Sequence, residues 1–134
     1  MVISLADTNL WDKINQQFTN KGGIYKIIAI KDNVPVAINR LLGADNNGIL
    51  YIGKATSFLD RVIELKKSTD PNYISSNHEF GSRYKKHSEI RSLFPFENIS
   101  VSLELCDNPA ETESAELKKY YETFGELPPL NRRQ

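Results

Sequence analysis

Gly22-Gly23-Ile24-Tyr25-Lys26-Ile27-Ile28-Ala29-Ile30 and Ile49-Leu50-Tyr51-Ile52-Gly53 are the two stretches that decide the fold. Each is a run of β-branched and aromatic residues bounded by glycine, the composition of a pleated, half-buried strand. Between them, Lys31-Asp32-Asn33 is a polar turn. Val34-Pro35-Val36-Ala37-Ile38 follows as a return or edge strand, because proline lacks the N–H that a central ladder needs. Ala44-Asp45-Asn46-Asn47-Gly48 is a stronger turn signal and leads directly into the second run. The expectation is a long first hairpin in an antiparallel sheet.

Outward from this hairpin the period changes to helical. Upstream, Leu10, Ile14 and Phe18 share one face of a helix over about 9–19, with Asp7 or Thr8 as its cap. Downstream, Thr56 or Ser57 caps a segment in which Phe58, Leu59, Val62, Ile63 and Leu65 recur at helical spacing. Residues 69–79 are polar and turn-like. Phe80, Tyr84, His87, Ile90 and Phe94 then predict one further helix, with His87 packed on its inner face and Pro95 ending it. Ile99, Val101, Leu103 and Leu105 alternate with polar residues as a half-buried strand. Asn108-Pro109 opens the last helix, whose expected inner face is Ala110, Ser114, Leu117, Tyr121 and Phe124, and Gly125 stops it. The whole is an α+β domain: a small antiparallel β-sheet flanked by helices, with an extra N-terminal helix. No repeat or linker divides it, so 1–134 is read as one unit, 1–21 carrying the N-terminal helix and 22–132 the core.

Composition narrows the class of protein. A chain of 134 residues can bury a core without disulfides, and its one cysteine, Cys106, has no partner within the chain. No apolar run is long enough to span a bilayer and the first residues lack a basic leader, so a cytoplasmic setting is expected. Net charge is zero, but its distribution is uneven. Lys54, Arg61, Lys66, Lys67, Arg83, Lys85, Lys86 and Arg91 crowd the middle of the chain, whereas Glu104 to Glu126 holds seven carboxylates against Lys118 and Lys119. Asp60, Glu64, Asp70, Glu79 and Glu89 interrupt the basic stretch, so the pattern fits either one basic and one acidic face or ordinary solvated helix surfaces.

Gly23-Ile24-Tyr25 followed by Tyr51-Ile52-Gly53 resembles the pair of tripeptides that names the GIY-YIG endonuclease superfamily. The similarity continues in Arg61, ten positions after Tyr51, in Glu116 within the last helix, and in Asn131 of a Leu-Asn pair. Lys54-Ala55 after the second tripeptide resembles the excision-repair branch, and His78 to Arg83 resembles an insertion of restriction-type branches. The resemblance spans about 22–132 and implies a divalent-metal-dependent enzyme that hydrolyses DNA phosphodiester bonds, of restriction-like, repair or mobile-element type. It also departs in places. The stretch between the tripeptides is long, and Leu65 stands where many members carry a His or Tyr one turn beyond the arginine.

The residue types suit that chemistry. Phosphodiester hydrolysis needs an activated water and positive charge for the developing phosphorane. The resemblance implies Tyr25 as the water-activating group with Tyr51 assisting, and Glu116 as the ligand of Mg2+ (or Mn2+). Glu113, a turn earlier, is a rival for the metal. Arg61 offers a planar donor fork to a phosphate. Asn131 would hold the tail or a phosphate, with Gly23, Gly53, Lys54 and His78 in support. Lys66, Lys67, Arg83, Lys85, Lys86, Arg91, Arg132 and Arg133 are candidates for DNA phosphate contacts, which bind without reading sequence. A neutral catalytic domain calls for a protein partner or a homodimer to hold DNA. The alternative is a catalytically weak fold used as a nucleic-acid or protein-binding module. Each residue also has a plainer role: strand tyrosines are commonly half-buried, and Arg61 can pair with Glu64 on a helix surface.

Overall fold

The computed structural model describes residues 1–72 and 79–131. It is an α+β arrangement whose main sheet is antiparallel throughout. Strands β1 (Val2–Ser4), β2 (Gly23–Lys31), β6 (Ile49–Ala55) and β7 (Ile99–Leu105) lie side by side in the order β1-β7-β2-β6. The short β3 (Val34–Pro35) takes the edge beside β2 where β6 leaves off. Strands β4 (Ile38–Arg40) and β5 (Gly43–Asp45) form a separate two-stranded ribbon. Helices α1 (Leu10–Phe18), α2 (Phe58–Thr69), α3 (Glu79–Lys86), α4 (Ser88–Leu93) and α5 (Pro109–Phe124) complete the described chain. None of these helices is long and apolar enough to cross a membrane.

The strand β2 is central because both its faces are apolar. Tyr25, Ile27 and Ala29 point into the larger core with α1, α2 and α3, while Ile24 points into a smaller one under α5. Leu10, Ile14, Phe18, Phe58, Val62 and Leu65 close the larger core, each at most 4 % exposed. Burial on this scale contributes about 1.5–3 kcal/mol per large apolar side chain. A β-bulge falls between Ile27 and Ile28, where the partner register skips Leu50. It allows the consecutive Leu50 and Tyr51 both to enter the larger core.

Several expectations are met closely. The capping of α2 by Ser57, whose hydroxyl accepts from the Asp60 N–H, is one. The turn after β2 puts Asp32 and Asn33 at φ 53° and 65°, the left-handed pair that tightens a two-residue hairpin. Other expectations are corrected. The extra hairpin expected from the length between the tripeptides is present, but β3 ends after Pro35 and the extra piece leaves the main sheet as the β4–β5 ribbon. The expected single helix over 80–94 breaks at His87, which has extended backbone and starts α4. That break rotates His87 out to solvent, so it is not a core residue. On α5 the buried residues are Leu117 and Tyr120, while Tyr121 is 55 % exposed. The inner face therefore runs through Glu113, Leu117, Tyr120 and Phe124, about one residue out of phase with the expected one.

Candidate active site

The sheet sets the site. Ile27 of β2 lies opposite Tyr51 of β6 and Tyr25 opposite Gly53, so both tyrosines project from the same face. Their rings stack with centroids 6.0 Å apart and 26° between planes. Phe80 of α3 meets Tyr51 edge-on at 5.9 Å and closes the patch from the far side. From α2, the Arg61 guanidinium carbon stands 5.9 Å from the centre of the Tyr25 ring. The same guanidinium donates to Glu64 at 3.1 Å, one turn along its own helix.

Gly53 is required by this packing. A β-carbon there would lie 2.5 Å from both Cζ and Oη of Tyr25. Gly23 serves the other neighbour: a β-carbon on it would meet the Glu104 carbonyl of β7 at 2.3 Å. The glycines of the two tripeptides thus permit close approaches, one to a ring and one to a strand.

Electrostatics separates the two candidate carboxylates. Burial raises the Tyr25 hydroxyl far above its usual range, and the proximity and hydrogen bond of Tyr51 raise it further. Arg61 opposes this, and the charge of Glu113 adds to it. Glu113 is therefore close enough to act on the tyrosine pair. Glu116 is turned to the other face of the sheet, where it accepts from Lys26 at 3.3 Å. The structure brings together Tyr25, Tyr51 and Arg61; the charge of Glu113 registers at Tyr25, and Glu116 is bound to Lys26.

The remaining expected residues divide by location. Asn131 is bound to strand β6: its Nδ2 donates to the Ile52 carbonyl at 3.0 Å and its Oδ1 accepts from the Ile52 N–H at 2.9 Å. It ties the tail to the sheet edge, helped by Arg83 donating to the Leu130 carbonyl at 3.0 Å. Lys54 is exposed, and strand alternation turns it away from the face of Tyr25. Lys66 donates to the Leu5 carbonyl and lies over the rings of Trp11 and Phe96, each 5.8 Å away. Lys85 donates to the Lys67 carbonyl and Arg91 to those of Tyr84 and Lys85. Lys67 and Lys86 are exposed. His78, Arg132 and Arg133 lie outside the described residues.

No family model, curated protein or solved structure matches this chain. Among the described residues no group of three or more His, Cys, Asp or Glu side chains is arranged to hold a metal ion. The one carboxylate whose charge registers at Tyr25 is Glu113, so a donor set built on it would be a single carboxylate with two phenols and a guanidinium. That set suits Mg2+ or Mn2+, which keeps much of its water and completes its shell with substrate phosphate. It does not suit zinc, which takes three or four side-chain ligands.

Proposed function

We propose that the chain is a GIY-YIG-type endonuclease that hydrolyses DNA phosphodiester bonds with a divalent cation. The observation that carries this reading is the meeting of Tyr25, Tyr51 and Arg61 from three different elements, with the charge of Glu113 reaching Tyr25. A packing role needs no arginine and no carboxylate beside a buried phenol pair. Glu113 would hold the divalent cation, which when bound would supply positive charge to the scissile phosphate.

The chain's own groups account for the rest. In the hydrolysis, water oxygen attacks phosphorus and the bond to the leaving sugar oxygen breaks; a tyrosine hydroxyl takes the water proton as it releases its own, and that proton ends on the leaving oxygen or in solvent. Burial keeps the Tyr25 hydroxyl protonated even with the opposing charge of Arg61 beside it, so further positive charge at the site would be needed to favour its phenolate. The planar fork of Arg61 also matches two phosphate oxygens once it exchanges Glu64 for substrate. Asn131 fixes the edge of β6 that carries Tyr51. A restriction-like, repair or mobile-element role is open to such a site, and a protein partner or homodimer would supply the DNA grip that a neutral chain lacks.

The second reading is a catalytically weak fold that binds nucleic acid or protein. Leu65 favours it: this helix position is fully buried and apolar, so it offers no proton relay. Nicking of supercoiled plasmid with Mg2+ or Mn2+ separates the two. Wild type should nick, Arg61→Ala and Glu113→Ala should lose at least about a hundredfold of the rate, and Glu116→Ala should keep most of it. Salt-sensitive DNA binding without nicking by any of the four would replace the enzyme with the binding module. Equal nicking by all four would expose a contaminant.

A further inference from the structure

Lys26 is the next residue after Tyr25, and strand alternation sends the two to opposite faces of β2. Its Nζ meets Glu116 Oε2 at 3.3 Å, with the side chains only 23 % and 33 % exposed. Glu116 lies three residues after Glu113, almost one turn of α5. A second polar anchor stands further along that helix. The Tyr120 hydroxyl donates to Asp45 Oδ2 at 2.9 Å, and the fully buried Asp45 also accepts from the Ile49 and Asn47 N–H groups. Both anchors line one cavity of about 220 Å3. The apolar grip of α5 is thin, since only Leu117 and Tyr120 are buried along it. Apolar contact is non-directional and does not fix where a helix sits along its axis. A slip of one residue moves a side chain about 1.5 Å along the axis and about 100° around it, enough to carry Glu113 away from Tyr25.

We propose that Lys26 and Glu116 form a brace that fixes the register of α5 over the sheet, and with it the direction in which Glu113 faces, with Tyr120 and Asp45 as its second point. Glu116 is then a positioning residue and not a metal ligand. The geometry stands by itself; its consequence for catalysis rests on the nuclease reading.

The test uses the full chain with 13C-labelled tyrosine, the Tyr25 ring signal being assigned by its loss in Tyr25→Phe. Glu113→Gln shifts that signal directly. Glu116→Gln should shift it in the same direction from across the sheet, and the charge swap Lys26→Glu with Glu116→Lys should return it. Should the swap not fold, Lys26→Met with Glu116→Met, an apolar pair of similar length, takes its place. In parallel, the Mn2+ concentration for half-maximal nicking should rise about two- to fivefold in Glu116→Gln, with the maximal rate little changed, and recover in the swap. A Tyr25 signal unmoved in Glu116→Gln overturns the brace. So does complete loss of nicking in Glu116→Gln equal to that of Glu113→Gln, which would make Glu116 the ligand. If wild type does not nick, the nuclease reading fails while the tyrosine signal still decides the brace.

Discussion

Gly53→Ala tests the geometry of the site without assuming any activity. The new methyl would lie 2.5 Å from Cζ and Oη of Tyr25 and 2.8 Å from Cε1. The ring has little room to yield: Tyr25 is 1 % exposed, stacked on Tyr51 and covered by Arg61. Overpacking of this kind costs about 1–3 kcal/mol, and a rigid ring places it near the top, about 2–3 kcal/mol. Unfolding entropy of about 2.1 cal/mol/K per residue over 134 residues comes to about 0.28 kcal/mol/K. The melting temperature should therefore fall by about 7–11 °C, read by circular dichroism. The informative control is the same change in a Tyr25→Val background. Gly53 is not among the glycines with left-handed backbone, so without the ring its replacement should stabilise by about 0.4–1 kcal/mol through the unfolded chain. A reversal of sign, with a coupling of about 3 kcal/mol, is the expected result. Gly53→Ala within about 0.5 kcal/mol of wild type, or an equal cost in both backgrounds, refutes the packing described here.

Four further outcomes are expected. Asn131→Ala removes both hydrogen bonds to Ile52 and should lower the urea midpoint by the equivalent of about 1–3 kcal/mol; an unchanged midpoint would deny the tail its place on β6. Tyr120→Phe leaves the buried Asp45 with backbone donors only, and should cost about 1 kcal/mol by the same measurement. The Tyr84 hydroxyl is pushed up to about 12 by burial, with Glu97 adding and Arg91 opposing. Its folded value exceeds the unfolded one, so its share of stability is complete below about pH 10 and is lost as pH climbs towards about 12. Urea midpoints at pH 9 and pH 11 should fall less in Tyr84→Phe than in wild type. Glu64→Gln frees Arg61 from an exposed pair; it should change stability by under about 1 kcal/mol yet tighten DNA binding in a gel shift, and weaker binding would count against Arg61 as a phosphate contact.

Much of the fold is legible in the chain because local pattern and tertiary context agree. The strand of Tyr25, the strand of Ile99 to Leu105 and the helix from Phe58 carry strong periods and proper caps, and all three form where expected. Less legible are elements whose cause lies far away in sequence. Strand β1 has only three residues, too few for a pattern, and exists because Ile3 pairs with Val101. Asp45 looks like a turn residue among turn residues; its burial follows from Tyr120, which lies 75 positions away. The break at His87 has no glycine or proline to announce it. On α5 the ambiguity is one of phase. Tyr120 and Tyr121 are adjacent, either can complete an inner face through Leu117, and the sequence alone offers little to choose between them. Choosing Tyr121 leaves Glu113 off the inner face; choosing Tyr120 puts it there.

That phase matters because a sheet sorts neighbours by parity and a helix by angle. Tyr25 and Lys26 are joined by one peptide bond yet serve opposite faces of β2, one in the candidate site and one in a brace. Glu113 and Glu116 are separated by less than a turn, yet Glu113's charge bears on Tyr25 and Glu116 binds Lys26. Spacing along the chain favours Glu116 as the ligand and leaves Glu113 as its rival one turn away. Only the placement of α5 against β2 and β6 decides between them, and that placement joins the packing of Leu117 and Tyr120 on Ile24, Ile49 and Ile52 to polar contacts between residues 75 and 90 positions apart. A carboxylate in this helix is thus assigned its chemistry by tertiary structure. It follows that moving the glutamate from 113 to 112 or 114, with composition and net charge kept, should abolish nicking as fully as deleting it, whereas Glu116→Gln should not.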